Sequence, residues 1–254
     1  MALIAAAISF LSLVLYCPAF LASSNDPKWF LFSVLIPLAC LFVRFTPTRT
    51  HWIFLAWLGW AVVTLYWAVS FFDGLNRLWQ FALLGGAFCV GSSLNRDGFG
   101  KCVAAFGLGI AVNAPIAGAQ YFGLDTTPIF AGTLAPGLQI NPNYLAEAAA
   151  ICLVAAVFTR QWVWIPFCIA CLVFAFSRGS IVGLVLALIV WLWGWDRRLS
   201  GVTLALTGLA SVGYIALIGP ASIELMPRWA LWANSLASLS LAGYGIGSFW
   251  SAYP

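Results

Sequence analysis

Ser177-Arg178-Gly179 separates two apolar runs, roughly Trp162 to Phe176 and Gly179 to Trp195. Only 7% of the 254 residues are charged and 63% are hydrophobic, so a cation at that place needs a reason. A lone arginine at a bilayer centre costs about 2.5–3.5 kcal/mol on insertion scales. The sequence therefore puts Arg178 in a tight turn at a membrane face, where it either snorkels to lipid headgroups or meets a buried anion. A guanidinium fork suits phosphate oxygens, and the following glycine allows close backbone approach.

Two further groups of residues could share that chemistry. In Asn141-Pro142-Asn143, asparagine and proline form a helix start, with Asn as N-cap and Pro at the first helical position. Glu147 lies one turn inside the apolar helix that follows, where a carboxylate is a functional hypothesis by default and Arg178 a candidate partner. In Met226-Pro227-Arg228-Trp229-Ala230-Leu231-Trp232, Arg228 and Trp232 stand four apart on one helix face. This stretch reads as an interfacial helix with tryptophan anchors, or as a second cation brought over the same anion. Ser177 could cap the helix that begins beside Arg178. Two helix N-termini and Arg178 would then converge on one spot suited to a phosphate or diphosphate.

These residues need a frame of helices. A mean hydropathy of +1.01, with 14 Trp and 20 Phe, excludes an ordinary soluble domain. The expected fold is all-α, a polytopic transmembrane helical bundle, since a barrel would alternate apolar and polar residues. Breakers such as 23–27, 46–49, 73–74, 95–98 and 196–198 leave about nine spans. They run near 3–22, 29–45, 52–72, 78–94, 102–122, 143–159, 162–176, 179–195 and 200–218. The whole chain, 1–254, reads as a single integral membrane domain. Residues 219–254 begin an outward-facing loop with an interfacial helix.

Loop charge sets the orientation. Loops after even-numbered spans carry Arg44, Arg49, Arg96, Lys101, Arg160, Arg197 and Arg198, against Lys28, Arg77, Arg178 and Arg228 after odd-numbered ones. The N-terminus is therefore expected in the cytoplasm, and the Ser177-Arg178-Gly179 turn outside. A formal net charge of +4 without a polybasic tract gives nucleic-acid binding no support. The seven cysteines lie in apolar runs and read as small hydrophobes, so no metal is expected. The single histidine, His51, reads as interfacial, and Asp73, Arg77 and Asp125 as loop charges. Gly243-Tyr244-Gly245-Ile246-Gly247 follows no soluble strand and reads as a flexible stop to a preceding helix.

Asn141-Pro142-Asn143-Tyr144-Leu145-Ala146-Glu147, Phe176-Ser177-Arg178-Gly179, Arg228-Trp229-Ala230-Leu231-Trp232 and Gly243 to Phe249 occur in that order. Together they resemble the O-antigen ligase and polymerase family over roughly 130–254. The resemblance implies a multi-span enzyme of the bacterial inner membrane that needs no metal or other cofactor. Such an enzyme moves a glycan from an undecaprenyl-diphosphate carrier to a lipid A-core, glycan or protein acceptor on the periplasmic side. It implies that Arg178 and Arg228 bind the diphosphate, with Asn141, Asn143, Glu147, Ser177, Gly179 and Trp232 around the substrate. Family enzymes continue through a periplasmic loop that carries a functional histidine, and this sequence has none there. A second subunit supplying that part is one expectation. A non-catalytic protein that binds or transports a lipid-linked or anionic solute is the alternative.

Overall fold

The computed structural model describes residues 1–17, 25–43, 46–124, 135–139 and 141–195, with 201–202, 205, 209, 233–234 and 244–246. Eight α-helices are present among them and no strand. They are α1 (Ala2–Val14), α2 (Asn25–Cys40), α3 (Arg49–Thr64), α4 (Phe71–Ser92), α5 (Arg96–Tyr121), α6 (Pro142–Thr159), α7 (Ile165–Ala175) and α8 (Arg178–Trp195). Single 3₁₀ turns lie at Leu65–Trp67, Gly137–Gln139 and Trp162–Trp164.

Each of the first eight expected spans overlaps one of these helices, with bounds that differ by up to eight residues, and 200–218 falls largely outside the described residues. Length separates a helix from a span. Among the described residues, α5 (26 residues) and α6 (18 residues) are long and apolar enough to cross a membrane. The 13 residues of α1 rise only about 20 Å, against a hydrocarbon core of about 30 Å. α7 is shorter still, and α4 carries Asp73, Asn76, Arg77 and Gln80 in its first turns. Nine membrane-crossing helices are therefore not what the helix lengths support. The all-helical class is.

The chain divides into two compact units. One comprises Met1–Phe45 and Gly86–Val190, the other Thr46–Gly85 and Trp191–Pro254. In the first, α1 lies along α5, and α5, α6 and α7 pack on one another. Small residues make that approach possible. A Cβ on Gly107 would enter the Trp164 ring, and one on Gly109 would meet Leu13 at 2.9 Å. The resulting core includes Leu13, Ile110, Leu145, Cys152, Cys168 and Cys171, all buried.

Local signals explain where these helices begin and end. The Asn95 side chain accepts from the Gly98 N–H at 2.8 Å, capping α5. Asp97 and Lys101 form an exposed i,i+4 pair at 2.7 Å in its first turns, of little energetic weight. α6 and α7 both end on a residue in the left-handed region, Arg160 (φ 59°) and Phe176 (φ 40°). Neither is glycine, so each backbone is held there by its surroundings.

In the second unit, Trp57 meets Phe81 edge-on at 4.7 Å, and Phe54 covers Gly85. His51 is buried rather than interfacial. Its Nδ1 accepts the Thr48 N–H at 3.1 Å and completes a capping box at the start of α3. Gly245 is not a flexible stop. Its φ of 86° and the proximity of Ala68, whose Cα lies 2.5 Å from where a Cβ would be, make it a fixed contact. The adjacent Ile246 N–H donates to Thr64 Oγ1 at 3.2 Å.

Candidate functional site: a cleft between α6 and α8

Asn141 caps α6 as its sequence context predicts. Its Oδ1 accepts the Asn143 N–H at 2.9 Å, and Pro142 takes the first helical turn. The segment ahead of this cap is anchored by a buried polar network. Asn113 Oδ1 accepts the Leu138 N–H at 2.8 Å, and Gln120 exchanges two hydrogen bonds with the backbone of Gly137. Gln139 donates from Nε2 to the Leu13 carbonyl, which also accepts from Asn113 Nδ2 at 3.1 Å. Lys28 Nζ donates to Gln139 Oε1 at 2.7 Å. Lys28 was expected in an exposed loop, but it is 8% exposed, and burial lowers its pKa to about 8.

The turn at Arg178 differs from the Ser-Arg-Gly corner expected. The break between α7 and α8 is Phe176-Ser177, and Arg178 and Gly179 already belong to α8. Phe176, not Gly179, carries the positive φ. Ser177 is buried, and its carbonyl accepts the Ile181 N–H at 3.2 Å in the first turn of α8. The Arg178 side chain lies outside the described structure, as do Arg228 and Trp232.

The second turn of α6 and the first turn of α8 face one cleft of about 720 Å³. Glu147, Ile151 and Phe158 line it from α6, and Ser180, Gly183 and Ala187 from α8. Phe99 of α5 and Gly179 complete its ends. The volume falls in the range of small-molecule sites, about 300–1,000 Å³. Glu147 is the one charged residue among the described residues that line it. The expected pairing of Glu147 with Arg178 lies outside the described residues, since the Arg178 side chain is not among them.

The structure thus joins Glu147 to Gly179, while Asn141 and Asn143 stand at the start of α6, away from the cleft lining. Ser180 was missed. It is 4% exposed, and its hydroxyl has no hydrogen-bond partner among the described residues. A legible signal existed, since Gly179-x-x-x-Gly183-x-x-x-Ala187 is a small-residue stripe of the kind that lets another chain approach a helix closely. Lys28, Asn113, Gln120 and Gln139 were also missed, being scattered over 112 positions without a motif.

Cys152, Cys168 and Cys171 are fully buried between α6 and α7. No group of His, Cys, Asp or Glu among the described residues is arranged to hold a metal ion. The chain matches no known protein family, no curated protein and no solved structure.

Proposed function

We propose that this chain is a membrane protein of the bacterial inner membrane that handles an undecaprenyl-diphosphate-linked glycan. In this reading it transfers the glycan to a lipid A-core, glycan or protein acceptor on the periplasmic side. The carrying observation is the cleft that Glu147 of α6 and Gly179 and Ser180 of α8 line together. It sets the first turn of α8, with its backbone N–H groups, across from a carboxylate in the second turn of α6. Outward-facing bulky side chains such as Trp52, Ile53, Trp60 and Phe72 suit a lipid environment. A multi-pass helical bundle with a cytoplasmic N-terminus and an interfacial helix within 219–254 belongs to the same proposal.

In the reaction, an acceptor hydroxyl attacks the anomeric carbon, and the bond from that carbon to the diphosphate oxygen breaks. The electron pair leaves with the diphosphate, where Arg178, Arg228 and the α8 N-terminus offset the growing charge. Glu147 accepts a hydrogen bond from a glycan or acceptor hydroxyl. The acceptor proton passes to a general base supplied from elsewhere.

A binding or transport protein without catalysis is the second reading. It is favoured by the largely apolar lining of the cleft, which suits holding a lipid-linked solute. Purified protein given undecaprenyl-diphosphate-linked glycan and acceptor separates the two. Transfer that drops about 100-fold or more in Arg178→Ala supports the enzyme, as removing one charge-stabilising donor does elsewhere. Glycan binding without turnover supports the second reading. Neither binding nor transfer removes both.

A further inference from the structure

The cleft has a shape and a polarity that go beyond the proposed transfer reaction and do not rest on it. Its α6 wall runs from Glu147 to Phe158, a rise of about 16 Å at the helical spacing. That is close to one leaflet of a bilayer, half of a core of about 30 Å. Along this length the wall is hydrocarbon: Ala150, Ile151, Val154, Ala155 and Phe158. The facing wall is kept low by Gly183 and Ala187, and a Cβ placed on Gly183 would meet nothing within 4 Å.

Among the described lining residues the polar groups lie on Glu147 and at Gly179 and Ser180, and they are of opposite character. Glu147 is exposed and presents a carboxylate. Across from it, Gly179 and Ser180 belong to the first turn of α8, whose N–H groups have no partner within the helix. The Ser180 hydroxyl is more than nine-tenths buried and unsatisfied among the described residues, an unfavourable state that an incoming acceptor would relieve. One mouth therefore offers an anion beside a set of donors.

We infer that this cleft holds one acyl chain of a zwitterionic phospholipid bearing an ammonium head. The tail lies along α6 and α8, the ammonium meets Glu147, and the phosphate accepts from the Ser180 hydroxyl and the first N–H groups of α8. A headgroup with net negative charge satisfies the donors but leaves the carboxylate without a cationic partner. The carboxylate that meets a sugar hydroxyl during transfer meets the ammonium in the resting membrane.

The test uses the full chain in phosphatidylglycerol vesicles carrying a trace of a photoreactive phospholipid with a diazirine in its acyl chain. One arm uses a phosphatidylethanolamine analogue, the other a phosphatidylglycerol analogue, and adducts are mapped by mass spectrometry. The ethanolamine analogue should label 147–158 and 179–187 about fivefold more than the glycerol analogue, the preference a single exposed ion pair sustains. Glu147→Gln should bring the ratio to one while adducts persist. Gly183→Leu should abolish them by filling the cleft, and Ala155→Leu does the same from the opposite wall should the first variant fail to insert. Equal labelling by the two analogues, adducts insensitive to both filling variants, or a cleft yielding only cross-links to a second copy of the chain overturns the inference. Labelling needs no glycan, so its failure leaves the transfer reading standing, and loss of transfer leaves the labelling standing.

Discussion

Lys28 and Gln139, 111 positions apart in the chain, are joined by a 2.7 Å hydrogen bond from the lysine amine to the glutamine Oε1. Gln139 also reaches the last carbonyls of α1, so one amide ties the start of α2 and the end of α1 to the turn that precedes α6. The start of α6, and with it the position of Glu147, depends on this link. Gln139→Leu removes a donor and an acceptor from a buried site and leaves both partners without their bond to it. Unfolding in detergent should show a loss of about 1–3 kcal/mol. An unchanged midpoint would mean that the link is dispensable.

The same lysine sets a pH dependence. Its pKa is lowered by burial to about 8, from an ordinary 10.5. Between those values the unfolded chain binds more protons than the folded one, so stability rises as pH increases through the window. Below about 8 both states carry the charge, and the cost of burying it is fully present. Unfolding midpoints measured from pH 7.5 to 10.5 should climb in the wild type. In Lys28→Met this component of the climb should vanish.

Gly137 has φ 58°, and a Cβ there would lie 2.6 Å from Asn113 Oδ1. Gly137→Ala therefore strains the backbone by about 1–2 kcal/mol and pushes on the acceptor of the Leu138 N–H. Thermal unfolding should show the loss, and Asn113→Ala in the same background should add less than it costs alone, because the two changes share a partner.

Phe176 leads to the opposite sign. It holds φ 40° with a side chain 55% exposed, so glycine in its place relieves backbone strain and loses little packing. Phe176→Gly should leave stability unchanged or raise it by up to about 1 kcal/mol. A drop of more than that would show that the aromatic ring, not the turn, holds α7 against α8.

The legible part of this molecule was what neighbouring residues decide. Asn141-Pro142-Asn143 announced the start of α6, and apolar length gave the order of the helices, whereas Asn95, read as part of a breaker, caps α5. Hydropathy overstated the number of spans because an apolar run need not be a helix long enough to cross a bilayer, as the 13 residues of α1 and the 11 of α7 show. The Lys28 network was illegible for another reason. Its members belong to α2, α5 and the 137–139 turn, and only the folding of α1 against α5 brings them together. Glu147 was found because a carboxylate in an apolar helix stands out, whereas Ser180 hid among small residues.

The three thiols sealed between α6 and α7 make the protein its own reporter. Cys152, Cys168 and Cys171 have no solvent exposure, so a maleimide can reach them only when those two helices part. The rate at which alkylation accumulates at these positions would time that opening, with Cys17, Cys40, Cys89 and Cys102, all partly exposed, as the fast internal standard.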